Sequence, residues 1–120
     1  MATEIGSKGL AEVNLTIPQE TSLAFDVIHK DDDDEIIDHS LSDARMAFQT
    51  KDKKKTWQLD SYVDCGAECI RVNIPASATE KLPIGKLLWD LIVITDIGEQ
   101  IRICYGQVSI VDTYALDEEQ

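Results

Sequence analysis

Gly85-Lys86-Leu87-Leu88-Trp89-Asp90-Leu91-Ile92-Val93-Ile94-Thr95 is the longest apolar run of the chain, and a second apolar run follows from Ile101 to Val111. β-Branched and aromatic residues crowd the first run, Gly85 opens it, and Asp96-Ile97-Gly98-Glu99 breaks it from the second. That pattern predicts a central strand turning into a hairpin. Leu87, Trp89, Leu91 and Val93 share one face of such a strand, while Leu88, Ile92 and Ile94 share the other, so both faces read as buried. Asp90 is the odd member. A carboxylate is costly there unless hydrogen-bonded, so it reaches a turn or a partner, or marks where the strand leaves the core. In the second run Ile101 and Ile103 occupy odd positions and Val108 and Ile110 even ones, which predicts a β-bulge at the intervening Gly106.

Alternation of the same kind recurs upstream. Val13, Leu15 and Ile17 precede Pro18, and Leu23, Phe25 and Val27 lead to a strand end near His29. Ala44, Met46 and Phe48 form a third strand. Trp57 and Leu59 begin the return from a charged tip over 50–56. After a break placed at Asp64 to Gly66, Ile70, Val72 and Ile74 alternate up to Pro75. The crossing segment from Pro75 to Gly85 permits one short helical turn at Ala76-Ser77-Ala78-Thr79, and Pro83 and Gly85 reset the chain for the central strand. No amphipathic helix of usable length occurs. About seven short strands with turn signals at roughly eight- to twelve-residue spacing predict an all-β, immunoglobulin-like antiparallel sandwich in a single domain. The buried Cys…Trp…Cys signature of true immunoglobulin domains is absent. The expected organisation is a flexible N-terminal arm over 1–10, the sandwich over 11–114 and an acidic C-terminal tail over 115–120, with Phe25, Phe48, Val72, Trp89, Leu91 and Ile103 in the core.

The charge balance narrows the functional classes. The 120 residues carry 23 acids against 11 bases, a formal charge of −12. Such a surface repels nucleic acid and anionic membrane, and a basic protein surface is its natural counterpart. The first residues lack the apolar core of a signal peptide, so assembly in a cytoplasmic compartment is expected. Cys65, Cys69 and Cys104 are an odd number and read as reduced, small apolar core residues rather than as a disulfide framework. Together with His29 or His39 they would make a four-ligand zinc set, but CxxxC is wider than the usual CxxC, and no metal or cofactor is expected. Asp31-Asp32-Asp33-Asp34-Glu35 lacks the spaced order and the glycine of a calcium loop and reads as a solvated loop of repelling charges. His29 and His39 flank it and read as exposed. No nucleophile, base and orienting acid can be assembled from the sequence, so no catalytic residue is assigned. Lys53, Lys54 and Lys55, within the 50–56 tip, read as a turn. With the acidic run they are the candidate interaction loops.

Gly85-x-Leu87-x-Trp89-Asp90-Leu91-x-Val93, followed by Gly98, Arg102, Gly106, Val108 and Ile110, resembles small β-sandwich domains of tailed-phage virions. Leu41-Ser42-Asp43-Ala44-Arg45-Met46-Ala47-Phe48 is similar to another strand of that family, and Ile74-Pro75-Ala76-x-x-Thr79-x-x-Leu82-Pro83-x-Gly85 to its crossing loop. The resemblance covers residues 17 to 112. Trp89 stands where the family commonly has tyrosine, and the acidic run replaces its Asp-Gly turn. The resemblance implies a structural virion protein of the tail, baseplate or neck, assembled in the host cytoplasm. Its partners would be other virion structural proteins in repeated symmetric copies. Edge strands, loops and termini would make the contacts, with no role for catalysis. A carbohydrate- or receptor-binding β-sandwich module is the alternative, in which exposed aromatics stack on sugar.

Overall fold

The computed structural model describes residues 2–6 and 10–112. Ten strands are formed among them: β1 Ala2–Ile5, β2 Ala11–Glu12, β3 Leu15–Pro18, β4 Leu23–His29, β5 Asp43–Gln49, β6 Thr56–Gln58, β7 Val63–Cys65, β8 Ile70–Ile74, β9 Gly85–Ile94 and β10 Gln100–Val111. One helical turn, α1 at Ala76–Thr79, lies in the crossing segment where Pro75 precludes further strand. The strands form two sheets that pack as a sandwich. One has the order β1-β4-β8-β7, and the other runs β10-β9-β5-β6 with β2 and β3 along the free side of β10. These are the orders A-B-E-D and G-F-C-C′ of an immunoglobulin sandwich.

The sequence periodicity explains the core directly. Leu87, Trp89, Leu91 and Val93 of β9 meet Phe25 and Val27 of β4, Met46 and Phe48 of β5 and Ile70, Val72 and Ile74 of β8 in one buried cluster. Phe25 and Phe48 both meet the indole of Trp89 in T-shaped pairs, with ring centroids at 6.1 and 6.5 Å. Such edge-to-face pairs add about 0.5–1.5 kcal/mol beyond area burial. Ile103 of β10 is buried as well.

Five expectations change. The even face of β9 is only half-buried at Leu88, Ile92 and Ile94, because no third layer covers the outside of the sheet. Asp90 lies on this outer face, where Arg102 of the neighbouring strand approaches to 3.5 Å and also stands 5.1 Å over the Tyr105 ring. The bulge falls between Arg102 and Cys104, not at Gly106, so Ile103 and Cys104 are both buried in succession. The break assigned to Asp64–Gly66 is strand β7 over its first two residues, and the turn is Gly66–Cys69, closed by Gly66 N–H to Cys69 O. Finally, the sandwich is not wholly antiparallel: β1 pairs with β4, and β2 and β3 with β10, in parallel. Part of the expected free arm is therefore an edge strand, tied to β4 with Ala2 opposite Asp26 and Ile5 opposite His29. Residues 1 and 7–9 of the arm and 113–120, including the acidic tail, lie outside the described residues.

The three cysteines are free thiols. Burial, with the Asp90 charge adding to it, pushes the Cys104 thiol up to about 12. Cys65 is shifted upward too, first by burial and then by Asp64 and Asp43. Thiolate is the reactive form. Native protein treated with a thiol alkylating reagent near neutral pH is therefore expected to leave Cys104 unmodified, while denatured protein reacts at all three positions. Peptide mass spectrometry distinguishes them, and native labelling of Cys104 at the rate of a free thiol would contradict its placement.

Candidate functional site

The chain gathers its chemistry at the two ends of the sandwich. β5 illustrates the geometry, because the segment 30–42 precedes its first residue and the lysine tip 50–55 follows its last. The acidic end consists of the segment 30–42, the β9–β10 turn and the nearby β7–β8 turn, which receives the His39 N–H at Gly66 O. The basic end consists of the lysine tip, the link from β3 to β4 and the crossing segment with α1.

At the acidic end the loop is built by its own carboxylate. Asp31 Oδ1 accepts the backbone N–H groups of Asp33 at 2.9 Å and Glu35 at 3.0 Å, which folds the run into a turn rather than a splayed chain. Lys30 Nζ bridges Glu4 at 3.0 Å and Asp34 at 3.4 Å, so it links the first strand to the loop. Asp32, Asp33, Asp34 and Glu35 are exposed and Asp31 is half-buried. Among the described residues no three His, Cys, Asp or Glu side chains gather as a metal-binding group.

His29 and His39 are the main departure from the sequence reading. Both are 2% exposed, not solvated. His29 Nδ1 and His39 Nε2 are 2.8 Å apart, and His39 Nδ1 is 3.0 Å from Ser42 Oγ. The ring planes are parallel within 5° with centroids 5.1 Å apart. A nitrogen–nitrogen distance so much shorter than the centroid separation places the rings edge to edge in one plane, sharing a hydrogen bond, not face to face. The strand alternation contained this information: His29 continues the inward series Phe25, Val27, and only its polar character argued for the surface.

Ser42, His39 and His29 thus stand in the order of nucleophile, base and orienting group, a constellation the sequence did not reveal. The nearby donors that would receive an oxyanion are engaged, however. Ser42 N–H donates to His39 O at 2.9 Å and Ser40 N–H to Asp38 Oδ1 at 2.7 Å. The three side chains lock the turn from 39 to 42 onto the end of β4. Beside them opens a cavity of about 520 Å³, lined by Ile37, Asp38, His39, Leu41, Ile97 and Ile101 among others. Leu41 and Ile97 project at its rim, 77% and 82% exposed.

Burial holds the His39 imidazole below its ordinary range; His29 adds to the shift and Asp38 opposes it. A histidine kept neutral in the fold makes the unfolded chain the better proton acceptor. Its contribution to stability is complete above the ordinary imidazole value of about 6.5 and declines as pH falls below it. The carboxylates held low, Asp26 by its Arg71 partner, Asp38 by Ser40 and Asp52 by Thr50, lose their contributions only as pH falls through the lower carboxylate range. Unfolding free energy from urea titrations is expected to be flat from about pH 8 to 7 and to fall from about pH 6.5 to 5. In His39→Gln that slope is reduced. An unchanged slope would show that burial of His39 is not the source of the pH dependence.

At the basic end Thr50 and Asp52 organise the tip. Thr50 Oγ1 donates to Asp52 Oδ1 at 2.6 Å, and Asp52 Oδ1 accepts the Lys54 N–H at 3.0 Å, leaving Lys51, Lys53, Lys54 and Lys55 exposed. A cavity of about 620 Å³ lies between this tip and the crossing segment, lined by Lys54, Lys55, Trp57, Lys81, Leu82 and Pro83 among others. Gln19 Nε2 donates to Leu82 O at 2.9 Å and Thr79 Oγ1 to Thr21 O at 2.7 Å, which pins the crossing segment to the link between β3 and β4.

No family model matches the sequence, and no curated protein matches it. Among solved structures, the N-terminal domain of phage TP901-1 ORF48 is similar in fold, with a TM-score of 0.52 and 9% identity over 93% of this chain and 97% of that one. At that identity the likeness is one of fold.

Proposed function

We propose that the chain is a structural virion protein of a tailed phage or prophage. It acts in a tail, baseplate or neck assembly by protein–protein contacts between repeated copies and other virion proteins. The observation that carries this reading is the likeness in fold to a phage protein domain over nearly the full length of both chains. The motif resemblance over residues 17 to 112 supports it independently. The free edges of the sandwich are short: β6 and β7 have three residues each and β1 has four. Short edges blunt strand-to-strand pairing. The ends, with their charged loops and half-open cavities, are the better contact surfaces.

The sugar-binding alternative asks for aromatic rings open to solvent. Phe25, Phe48 and Trp89 are buried, and the Tyr105 ring lies beneath Arg102. Trp57, half-buried in the cavity at the basic end, is the residue that favours this alternative. Quantitative mass spectrometry of gradient-purified particles from the phage or prophage encoding the chain separates the two readings. The expected result is a fixed, multiple copy number relative to known structural proteins. Absence from particles, together with glycan binding that is lost in Trp57→Ala, would replace the structural reading with the receptor-binding one.

A further inference from the structure

The acidic end carries Asp38, Asp96 and Glu99 around a cavity of about 520 Å³, with Leu41 and Ile97 standing out from its rim. The basic end carries Lys54, Lys55 and Lys81, beside Asp52 and Glu80, around a cavity of about 620 Å³ with Trp57, Leu82 and Pro83 in its wall. Apolar projections flanked by carboxylates at one end complement an apolar groove flanked by ammonium groups at the other. We propose that the basic groove receives the acidic end of a second copy of this chain, so that copies dock head to tail along the strand direction.

Charge decides in favour of this occupant. A formal charge of −12 opposes association of copies that does not pair unlike charges. End-on docking instead brings unlike charges together within the short range where physiological salt does not screen them, a Debye length of about 8 Å. Both surfaces belong to one chain, so each docked copy presents a fresh acidic end and a fresh groove. That is a heterologous contact, which closes into a ring or continues as a filament according to the rotation between copies. Exposed ion pairs are individually weak. Leu41 and Ile97 must therefore supply the desolvated centre of the contact, with the charges setting orientation and register. The interface names the contact behind the assembly reading and rests on that reading only for its biological setting.

A charge exchange tests it. One variant carries Lys54→Glu, Lys55→Glu and Lys81→Glu; the other carries Asp96→Lys and Glu99→Lys. The carboxylates that fold the loops, Asp31, Asp38 and Asp52, are kept, and circular dichroism checks that each variant is folded. In sedimentation velocity at low salt the unaltered chain is expected to self-associate with rising concentration and to dissociate in high salt. Each variant alone is expected to associate at least about tenfold more weakly, whereas an equimolar mixture restores both contacts, acidic end to lysine groove and lysine end to glutamate groove, and forms salt-sensitive assemblies in which the two variants alternate. An unaltered chain that stays monomeric at every concentration while the mixture also fails to pair would overturn the proposal. Variants that associate as well as the unaltered chain would do the same by placing the contact elsewhere. Particle mass spectrometry is read separately. Incorporation without end-on association refutes this interface and leaves the virion reading intact, whereas association without incorporation does the reverse.

Discussion

Trp89→Ala is expected to lower the unfolding free energy by about 3–5 kcal/mol. Trp89 is 3% exposed and makes T-shaped pairs with Phe25 and Phe48, so its removal forfeits the transfer energy of an indole and leaves a cavity that two opposed sheets cannot close. Its Nε1–H also donates to Val13 O at 2.8 Å. That bond fastens the link between β2 and β3 to the centre of the sandwich, and the alanine variant leaves the carbonyl without it. Trp89→Phe separates the contributions: it keeps most of the apolar volume and loses the donor, with an expected cost of about 1–3 kcal/mol. Chemical denaturation of the three proteins reads both differences. A loss below about 1 kcal/mol for Trp89→Ala would show that the indole is not in the core.

Gly106→Ala is expected to cost about 2–3 kcal/mol, at the upper end of what one added methyl does in a packed site. A Cβ at this position would meet Val13 O at 2.2 Å and Asn14 Oδ1 at 2.9 Å. Val13 O belongs to the backbone and is held by Trp89, so it cannot turn aside as the end of a long side chain would. Asn14 Oδ1 accepts the Gln107 N–H at 3.0 Å, completing the seam between β10 and the first strands. The substitution therefore strips the segment 11–18 from β10 before it disturbs β9. Hydrogen exchange is expected to show faster exchange at Val13 and Gln107 with β9 protection retained. Wild-type exchange and stability in Gly106→Ala would remove the close approach from the account.

Gly106 also shows where a sequence stops being legible. A glycine inside an apolar run has two physical meanings, a bulge or a close backbone approach. The hydrophobic phase change favoured the bulge, but the phase changes at Ile103–Cys104, and the glycine makes room for a segment some ninety positions away in the chain. Long-range backbone proximity leaves no trace in local alternation. The inward series Phe25, Val27 and Leu87, Trp89, Leu91 was readable because strand period and burial coincide there. The outer face of β9 misled for the converse reason: Leu88, Ile92 and Ile94 are apolar but only half-covered.

At the ends of the sandwich the residues themselves were legible and their arrangement was not. The acidic run and the lysine tip stand out by composition. That they lie at opposite ends of β5 follows from strand direction, once the strands on either side are placed. The Ser42–His39–His29 series was hidden because histidine polarity was weighed above the alternation that placed His29 inside. The two short strands β1 and β7 were missed because four or three residues carry too little period to register.

Assembly into a virion through repeated copies is tested most directly by a cryo-EM map of the intact particle at a resolution where strands are traced. The expected map contains this sandwich in multiple symmetry-related copies, with contacts concentrated at the acidic loop and the lysine tip and with Trp89 inside each copy. A map that accounts for every protein density without this sandwich would contradict it, as would one that shows single copies whose ends both face solvent.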